Sequence, residues 1–272
     1  MRRRTVLGGL AAVGLGGGLS ALATPTSQGD EGVEALVAGS LQAVAGRVPG
    51  ATVEAHGSLA VRRLVLEDAR EPDVVALADP KLFEGLANTY TLFATNALVL
   101  AYDPSAPHVD ELRRDWRGAL RDATVGRTDP TLDPLGYRTV LAVELDGTLD
   151  RSALDGTSVL PETALMRTLE AGGVEAAFAY RSMAVEHGVP YVSLPESIDF
   201  SSPALADHYA TVSIELADRT VRGAPIRYAT AALTAAGRPW AKALTTDDSR
   251  LAEAGFVVPA GYPRVTSTSS PV

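Results

Sequence analysis

The stretch Val33–Val61, VEALVAGSLQAVAGRVPGATVEAHGSLAV, contains two strand-like apolar runs that each end in a Gly-Ser pair. The pairs are Gly39-Ser40 and Gly57-Ser58. In an open α/β sheet, small residues at the carboxyl ends of strands let backbone amides and hydroxyls face a bound anion. One Gly-Ser turn alone is typical of a helix cap, so the informative feature is that two occur in succession.

Apolar runs and amphipathic stretches alternate along the rest of the chain. The predicted strands are DVVALAD (73–79), NALVLAYDP (96–104), VEAAFAYRS (174–182) and PYVSL (190–194). The predicted helices are HVDELRRDWRGAL (108–120), PETALMRTLEAG (161–172) and GRPWAKALTT (237–246). This alternation predicts an α/β fold with a mainly parallel sheet.

The composition limits the class of protein. Of 272 residues, 46% are hydrophobic and 21% charged, which indicates a globular chain with a substantial core. The net charge of −9 argues against a nucleic-acid partner, because nucleic-acid binding needs a basic surface. There is no cysteine, so a disulfide, a thiolate metal site and a lipid-modified cysteine are all excluded.

The first 23 residues, MRRRTVLGGLAAVGLGGGLSALA, have the pattern of an export signal. Arg2–Arg4 precede a weakly apolar run that ends in small residues, and the adjacent arginines resemble a twin-arginine signal. Retention as an anchor is the alternative, although the run falls short of the ~20 strongly apolar residues that span a bilayer. We expect residues 24–31 to be a flexible leader and 266–272 a disordered tail.

The segment GRTDPTLDPLGYR, Gly126–Arg138, has two aspartates that each precede a proline. Asp-Pro favours the start of a turn, and we interpret Asp129 as a turn residue. The spacing lacks the glycine and distal glutamate of a calcium-binding EF-hand loop. Asp133 differs because Gly-Tyr-Arg follows it.

Together these segments resemble the archaeal-type molybdate/tungstate-binding proteins of ABC transporters. The motifs are AGSL, AHGSLAVRRLV, DVVALADPKLFEGL, DPLGYR and YRSMAVEHGVPYVSLP, and the likeness runs from about Glu34 to about Phe256. It implies a two-lobed periplasmic-binding-protein type II fold, each lobe a mixed, mainly parallel sheet flanked by helices, with two interlobe crossings. Lobe I would be 32–101 with 212–265, and lobe II 102–211.

The resemblance also implies a set of residues around the oxyanion. They are Gly39, Ser40, Ser58, Asp133, Pro134, Leu135, Glu196 and Tyr209. Asp133 and Glu196 would bond directly to molybdenum or tungsten, while the serines and nearby amides bond the oxo groups. Two departures from the family pattern stand out: the segment between Ser40 and Ser58 is short, and many relatives would place the glutamate at the position of Ser197.

The expected function is therefore capture of tungstate or molybdate in the interlobe cleft and delivery to an ABC permease with its ATPase. We expect a monomer without enzymatic activity or cofactor, exported and associated with the outer face of the cell membrane. Tungstate and molybdate have nearly the same size and charge, so the sequence does not separate them.

Two alternatives stay open at this stage. The same fold could bind sulfate, phosphate or a ferric ion, or the chain could be an exported hydrolase that uses Ser58, His187 and an aspartate. The hydrolase lacks a G-x-S-x-G elbow. We interpret His187 as a helix-end residue and expect Arg138 to pair with a carboxylate. Tyr180, Arg181 and Ser182 are assigned to the hinge and the cleft wall.

Overall fold

The structure is a computed structural model that describes residues 32–217 and 219–268, apart from the side chain of Ala119. The predicted export signal, the predicted leader and residues 269–272 lie outside this part of the chain. The strands are β1 (Val33–Ala38), β2 (Ala51–His56), β3 (Val74–Leu77), β4 (Thr89–Thr95), β5 (Leu98–Tyr102), β6 (Val125–Arg127), β7 (Ser158–Val159), β8 (Ala176–Tyr180), β9 (Tyr191–Ser193), β10 (Ser213–Glu215), β11 (Thr220–Arg222), β12 (Arg227–Ala232) and β13 (Arg264–Ser267).

The helices connect these strands and flank the sheets. They are α1 (Gln42–Gly46), α2 (Ser58–Leu66), α3 (Val109–Arg114), α4 (Trp116–Asp122), α5 (Pro134–Asp146), α6 (Glu162–Glu170), α7 (Arg181–Glu186), α8 (Ala206–Tyr209), α9 (Arg238–Thr245) and α10 (Asp248–Glu253). Among the described residues, no helix is long and apolar enough to cross a membrane. The short α1 fits the clipped segment between Ser40 and Ser58.

Two larger sheets organise the chain. The first has the strand order β13-β4-β12-β3-β1-β2, and the second has the order β7-β6-β8-β5-β9. The chain passes from the first sheet to the second through Asn96 and Ala97, and it returns between β9 and β12. Strands β10 and β11 form a separate antiparallel hairpin. The lobe boundaries given above remain predictions, and this crossing marks where the sheets change.

Both sheets are mixed and mainly parallel, as predicted, since four of the six strands in the first sheet and four of the five in the second run in one direction. Strands β1, β2 and β3 run parallel, as do β6, β7 and β8. Strands β12 and β13 enter the first sheet antiparallel to their neighbours, and β5 pairs antiparallel with both β8 and β9.

Two local predictions need correction. The predicted helix 108–120 is broken at Asp115, which is extended (φ −148°) and whose Oδ1 accepts a hydrogen bond from the backbone N–H of Arg117 at 3.1 Å. That side chain competes with the helix for a backbone partner, so one helix becomes α3 and α4. The predicted tail begins too early, because Thr266 and Ser267 pair with Tyr90 and Thr89 in the first sheet.

Parallel pairing brings the ends of β1, β2 and β3 to one edge of the first sheet. Ala38 at the end of β1 is in register with His56 at the end of β2. All four residues of β3 are buried, as are all five of β8 in the second sheet. The residues after β1 and β2 therefore rest on a rigid, buried support, and they are the two Gly-Ser pairs.

Candidate oxyanion site

The two Gly-Ser pairs lie side by side at this edge, as predicted. Gly39 and Ser40 open a 3₁₀ turn that leads into α1, and Ser58 is the first residue of α2. Ser40 and Ser58 are both buried, with 2% and 0% of their surface exposed. Their position on neighbouring parallel strands is what makes two separate local motifs into one group of donors.

Both hydroxyls have partners within the first sheet. Tyr228 of β12 donates its phenolic O–H to Ser40 Oγ at 3.1 Å. Ser58 Oγ accepts a hydrogen bond from the backbone N–H of Ala78 at 3.0 Å, just beyond β3. Each serine oxygen thus accepts a bond from protein. The hydroxyl of Ser40 also donates to the carboxylate of Glu162, whereas the hydroxyl hydrogen of Ser58 has no acceptor among the described residues.

Asp133 lies on the side of the second sheet, between β6 and α5. Its Oδ1 accepts hydrogen bonds from Thr128 Oγ1 and from the N–H of Gly136, both at 3.1 Å, so it caps the amino end of α5. Pro134 follows as the first helical residue, and Leu135 is fully buried. Burial raises the pKa of Asp133 above its usual value, although the bonds from Thr128 and Gly136 oppose the shift.

A second buried carboxylate, Glu162, was missed by the sequence analysis. It is the first residue of α6; its Oε2 accepts the N–H of Gly39 at 2.9 Å and its Oε1 accepts the N–H of Ser40 at 3.1 Å. Only 5% of the residue is exposed. Burial raises its pKa, and the neighbouring charge of Asp133 raises it further. The signal in the sequence was weak, because a glutamate in the first turn of a helix is ordinary.

Asp133 and Glu162 share a cavity of about 320 Å³ with residues of the first sheet. His56 and Gly57, at the end of β2, line the opposite wall. The approach across the cavity is close: a Cβ added to Gly57 would lie 2.5 Å from the carbonyl oxygen of Leu132 and 2.6 Å from Asp133 Cβ. Glycine at position 57 is therefore what allows the two sides to meet.

The structure places Glu196 and Tyr209 away from this group. Glu196 is exposed in the loop after β9, and its backbone carbonyl accepts the hydroxyl of Tyr209 at 2.6 Å. Tyr209 is fully buried and its ring packs against Phe200, with 4.9 Å between the centroids. None of the contacts found for either residue in the described chain reaches Ser40, Ser58 or Asp133. The tyrosine that contacts Ser40 is Tyr228.

Arg138 has a different partner from the one expected. No carboxylate of the described residues lies within ion-pairing distance; its Nη1 donates to the carbonyl of Ala78 at 2.8 Å and to the hydroxyl of Tyr180 at 2.7 Å. Ala78 follows β3 in the first sheet, whereas Tyr180 ends β8 in the second. The buried guanidinium therefore joins the two sheets and places a positive charge beside the site.

Further contacts cross between the sheets. The N–H of Ala60 in α2 donates to the carbonyl of Leu132 at 3.0 Å, and Tyr137 of α5 donates its hydroxyl to Asp79. At the crossing itself, Asn96 donates to Ser182 Oγ at 2.8 Å. We call the bonds of Ala60, Tyr137, Glu162 and Arg138 the closed arrangement, since each of them requires the two sheets to be in contact at this edge, whereas the Asn96 bond lies at the crossing.

The structure tests the smaller interpretations directly. Asp129 is a turn residue as predicted, with its Oδ1 accepting the N–H of Thr131 at 2.7 Å. His187 ends α7 and its Nδ1 lies 2.9 Å from Glu170 Oε1, so it does not approach Ser58 and no hydrolase triad forms with it. The described residues contain no group of three or more histidine, cysteine, aspartate or glutamate side chains that could hold a metal ion.

Comparison with known proteins shows the family to which the chain belongs. Residues 21–247 match the sequence profile of the family described as bacterial extracellular solute-binding protein. The chain belongs to this family.

Two known relatives differ in how similar their sequences are to this chain. A Haloferax volcanii protein with the provisional name "ABC transporter molybdenum-binding protein" is 46% identical over 93% of this chain and 92% of its own length. The "Molybdate/tungstate-binding protein WtpA" of Pyrococcus abyssi is 29% identical over 64% of this chain and 63% of its own.

Solved structures support the fold. The periplasmic molybdate-binding protein of Azotobacter vinelandii superposes with a TM-score of 0.59 at 16% identity, covering 84% of this chain and 99% of that one. The sulfate-binding protein SubI of Mycobacterium tuberculosis gives a TM-score of 0.56 at 15% identity, covering 84% and 87%. At these identities the likeness concerns the fold alone, and it confirms the two-lobed periplasmic-binding-protein type II class.

Proposed function

We propose that this protein captures tungstate or molybdate at the edge where the two sheets meet and delivers it to an ABC permease and its ATPase. The observation that carries the proposal is a pair of buried carboxylates beside the two Gly-Ser pairs: Glu162 accepts the amides of Gly39 and Ser40, and Asp133 lies across from Gly57. The names of the Haloferax and Pyrococcus relatives support the same ligand class.

Two carboxylates in a site for a dianion need a physical reason. At 4 Å and an effective dielectric of ~20, two unit charges of like sign repel by about 4 kcal/mol. Molybdenum and tungsten in their highest oxidation state are hard, oxygen-seeking centres that can expand their coordination, and hard oxygen ligands suit them. A carboxylate bonded directly to such a centre becomes a ligand instead of a repelling neighbour.

The set of ligands follows from the burial and contacts described above. Asp133 and Glu162 would bond to the metal, while Ser40, Ser58 and the amides of Gly39 and Ser40 would donate to the oxo groups. Pro134 and Leu135 hold Asp133 at the start of α5. Glu162 takes the role first assigned to Glu196, because Glu196 is exposed and Glu162 is buried among the other members. Tyr209 would act only as support for the loop that contains Glu196.

Selectivity against sulfate is a consequence of this arrangement. The sulfur of sulfate stays four-coordinate, so each acid that ionises would repel sulfate without forming a bond to sulfur, and sulfate could be held only while both acids keep their protons. Unpaired like charges built against a competitor are an effective way to exclude it. Arg138 offsets part of the negative charge, but it is engaged with Ala78 and Tyr180 and does not replace coordination.

Membership of the family also supports a proposal about where the protein acts and in what state. We propose an exported, monomeric binding protein that acts at the outer face of the cell membrane without a lipid-modified cysteine, since the sequence has none. A solute-binding protein of this kind has no reaction to catalyse. Closure of the lobes around the ligand, the usual motion of such folds, would present the loaded form to the permease.

Calorimetric titration of the purified protein with tungstate, molybdate, sulfate and phosphate tests the proposal. We expect tight binding of the two metal oxyanions and at least about 1,000-fold weaker binding of the others, a difference of about 4 kcal/mol. Repeating the titration in buffers of different ionisation enthalpy counts protons. Coordination by Asp133 and Glu162 releases protons, because their raised pKa values leave them partly protonated beforehand. Comparable sulfate binding, or proton uptake, would contradict coordination.

A further inference from the structure

Three arginines converge on a groove that the oxyanion site does not use. Arg62 and Arg63 of α2 and Arg219, beside β11, line a cavity of about 240 Å³ together with Thr131 and Glu67. A water molecule occupies about 30 Å³ of liquid volume, so the groove has room for a small anion and several waters. In a chain with a net charge of −9, a groove lined by three cations and one acid is a local reversal of sign.

These arginines lack the acidic partners that other arginines of the chain have. Arg70 pairs with Glu54, Arg117 with Asp146 and Arg151 with Glu144, whereas no ion pair forms at Arg62, Arg63 or Arg219 within the described residues.

The buried nitrogen atoms of two of them are also unused. Arg62 donates from Nη2 to the carbonyl of Glu84 at 3.0 Å, but its Nε is buried without a hydrogen-bond partner, and the same holds for Nε of Arg219. Buried N–H groups are nearly always paired in folded proteins, so two of the arginines that line the groove each keep an unsatisfied donor.

The groove has one wall on each sheet. Helix α2, which contributes Arg62 and Arg63, packs on β1 and β2 of the first sheet. The β10–β11 hairpin, beside which Arg219 lies, packs through β10 on α5, and α5 packs on β5, β6 and β8 of the second sheet. Thr131 belongs to the loop that leads to Asp133. The arginines therefore face a common space only in the closed arrangement.

We propose that this groove is a second anion site, which binds a small oxyanion of the sulfate or phosphate class and thereby favours the closed arrangement. Arg62 and Arg219 supply the charge-assisted donors, and Thr131 supplies a neutral polar group from the other wall. Because an anion bound there contacts both walls, it binds the closed arrangement better than an open one. It then raises the affinity of the cleft for a ligand that also favours closure, by the same factor by which that ligand raises the affinity of the groove for the anion.

The first test uses sulfate and the ligand-free protein, and does not depend on the proposed function. Thermal unfolding is followed at constant ionic strength while sodium sulfate replaces sodium chloride. We expect a saturable rise in Tm of about 3–6 °C at about ten times the half-saturating concentration. The rise should disappear in Arg62→Gln and Arg219→Gln and persist in Arg113→Gln, which removes an equal charge from the exposed face of α3.

The second test rests on the proposed function and measures coupling. Saturating sulfate should tighten tungstate binding by about fivefold in the wild type and leave it unchanged in Arg62→Gln.

The outcomes of the two tests separate the second anion site from the proposed function. No saturable effect of sulfate on Tm overturns the second site and leaves the oxyanion site untouched. A sulfate effect that survives the arginine variants but vanishes in Ser40→Ala places sulfate in the cleft, which overturns the second site and the selectivity argument together. A sulfate effect confined to the groove without tungstate binding leaves the second site standing and refutes the proposed function.

Discussion

The two sides of the candidate site differ in chemistry and in how they are built. The first sheet contributes neutral donors, Ser40, Ser58 and the amide of Gly39, all placed by two parallel strands that end together. The second sheet contributes acids, Asp133 and Glu162, which come from the starts of two different helices. A site that needs both sides can recognise its ligand only when they meet, so recognition and closure are one event.

Removal of either acid should have the largest effect. In Asp133→Asn and Glu162→Gln we expect tungstate affinity to fall by at least about 100-fold, or about 2.7 kcal/mol, because a neutral amide oxygen is a poor ligand for the metal. Calorimetry measures the loss, and circular dichroism checks the fold. Glu196→Gln is the matched control, with an expected change under about twofold. An equal loss in Glu196→Gln would return the ligand role to that residue.

The second-largest loss of tungstate affinity is expected from a substitution at Gly57, where the two sides of the candidate site touch. Gly57→Ala places a Cβ within 2.6 Å of two atoms across the cleft, in Leu132 and Asp133, so the closed arrangement is obstructed while each sheet stays intact. Overpacking of this kind costs about 1–3 kcal/mol, which corresponds to a loss of tungstate affinity of about 5- to 150-fold. Gly46→Ala, where a Cβ meets no atom within 4 Å, is the control. Unchanged binding in Gly57→Ala would mean that the ligand is held without this contact.

Loss of single neutral donors should matter less. Ser40→Ala and Ser58→Ala each remove one hydroxyl donor worth about 0.5–1.5 kcal/mol, so we expect affinity to fall by about 2- to 12-fold in each. Both variants should also lower Tm, because Ser58→Ala leaves the buried N–H of Ala78 without its acceptor and Ser40→Ala does the same to the hydroxyl of Tyr228. Isothermal titration and thermal unfolding separate the two effects. Larger losses at the serines than at the acids would reverse the roles given to the two sides.

The smallest expected effect is a change of Tm with pH, which reports on the acids of the second sheet alone. Burial raises the pKa of Asp133 and Glu162 in the folded, ligand-free protein, so the fold favours their neutral forms. The stability that these two acids contribute to the fold is complete below their pKa values in the unfolded chain, near 3.8 and 4.5. It is lost as pH rises through their raised pKa values in the folded protein. We therefore expect Tm to decline from pH 5 to pH 9. The decline should be shallower in Glu162→Gln, and an unchanged slope in that variant would show that Glu162 does not titrate in this range.

The donor side could be predicted from the sequence because its signals are local. An apolar run that ends in Gly-Ser gives both the strand and the turn, and the family resemblance of the DPLGYR motif gives Asp133, although not the helix that begins after it. Glu162 could not be found this way, since its partners are 122 and 123 residues away and only the fold brings them together. Tyr228 and Arg138 are similar cases: nothing near either residue indicates Ser40 or Ala78 as a partner. Glu196 was assigned through the family resemblance of the LPESI segment, and burial favours Glu162 instead.

The hydrogen bonds from Gly39 and Ser40 to Glu162 have a consequence for ligand exchange. These amides are the donors that an oxo group would need, and in the closed arrangement a carboxylate of the chain already holds them. Glu162 is thus a tethered competitor, present at a fixed effective concentration that dilution cannot lower. The apparent binding free energy of any oxyanion is therefore the difference between the free energy of the state in which the anion holds these amides and that of the state in which Glu162 holds them. When the ligand departs, the same side chain returns to the vacated donors and opposes rebinding, which suits a carrier that must release its ligand as well as bind it.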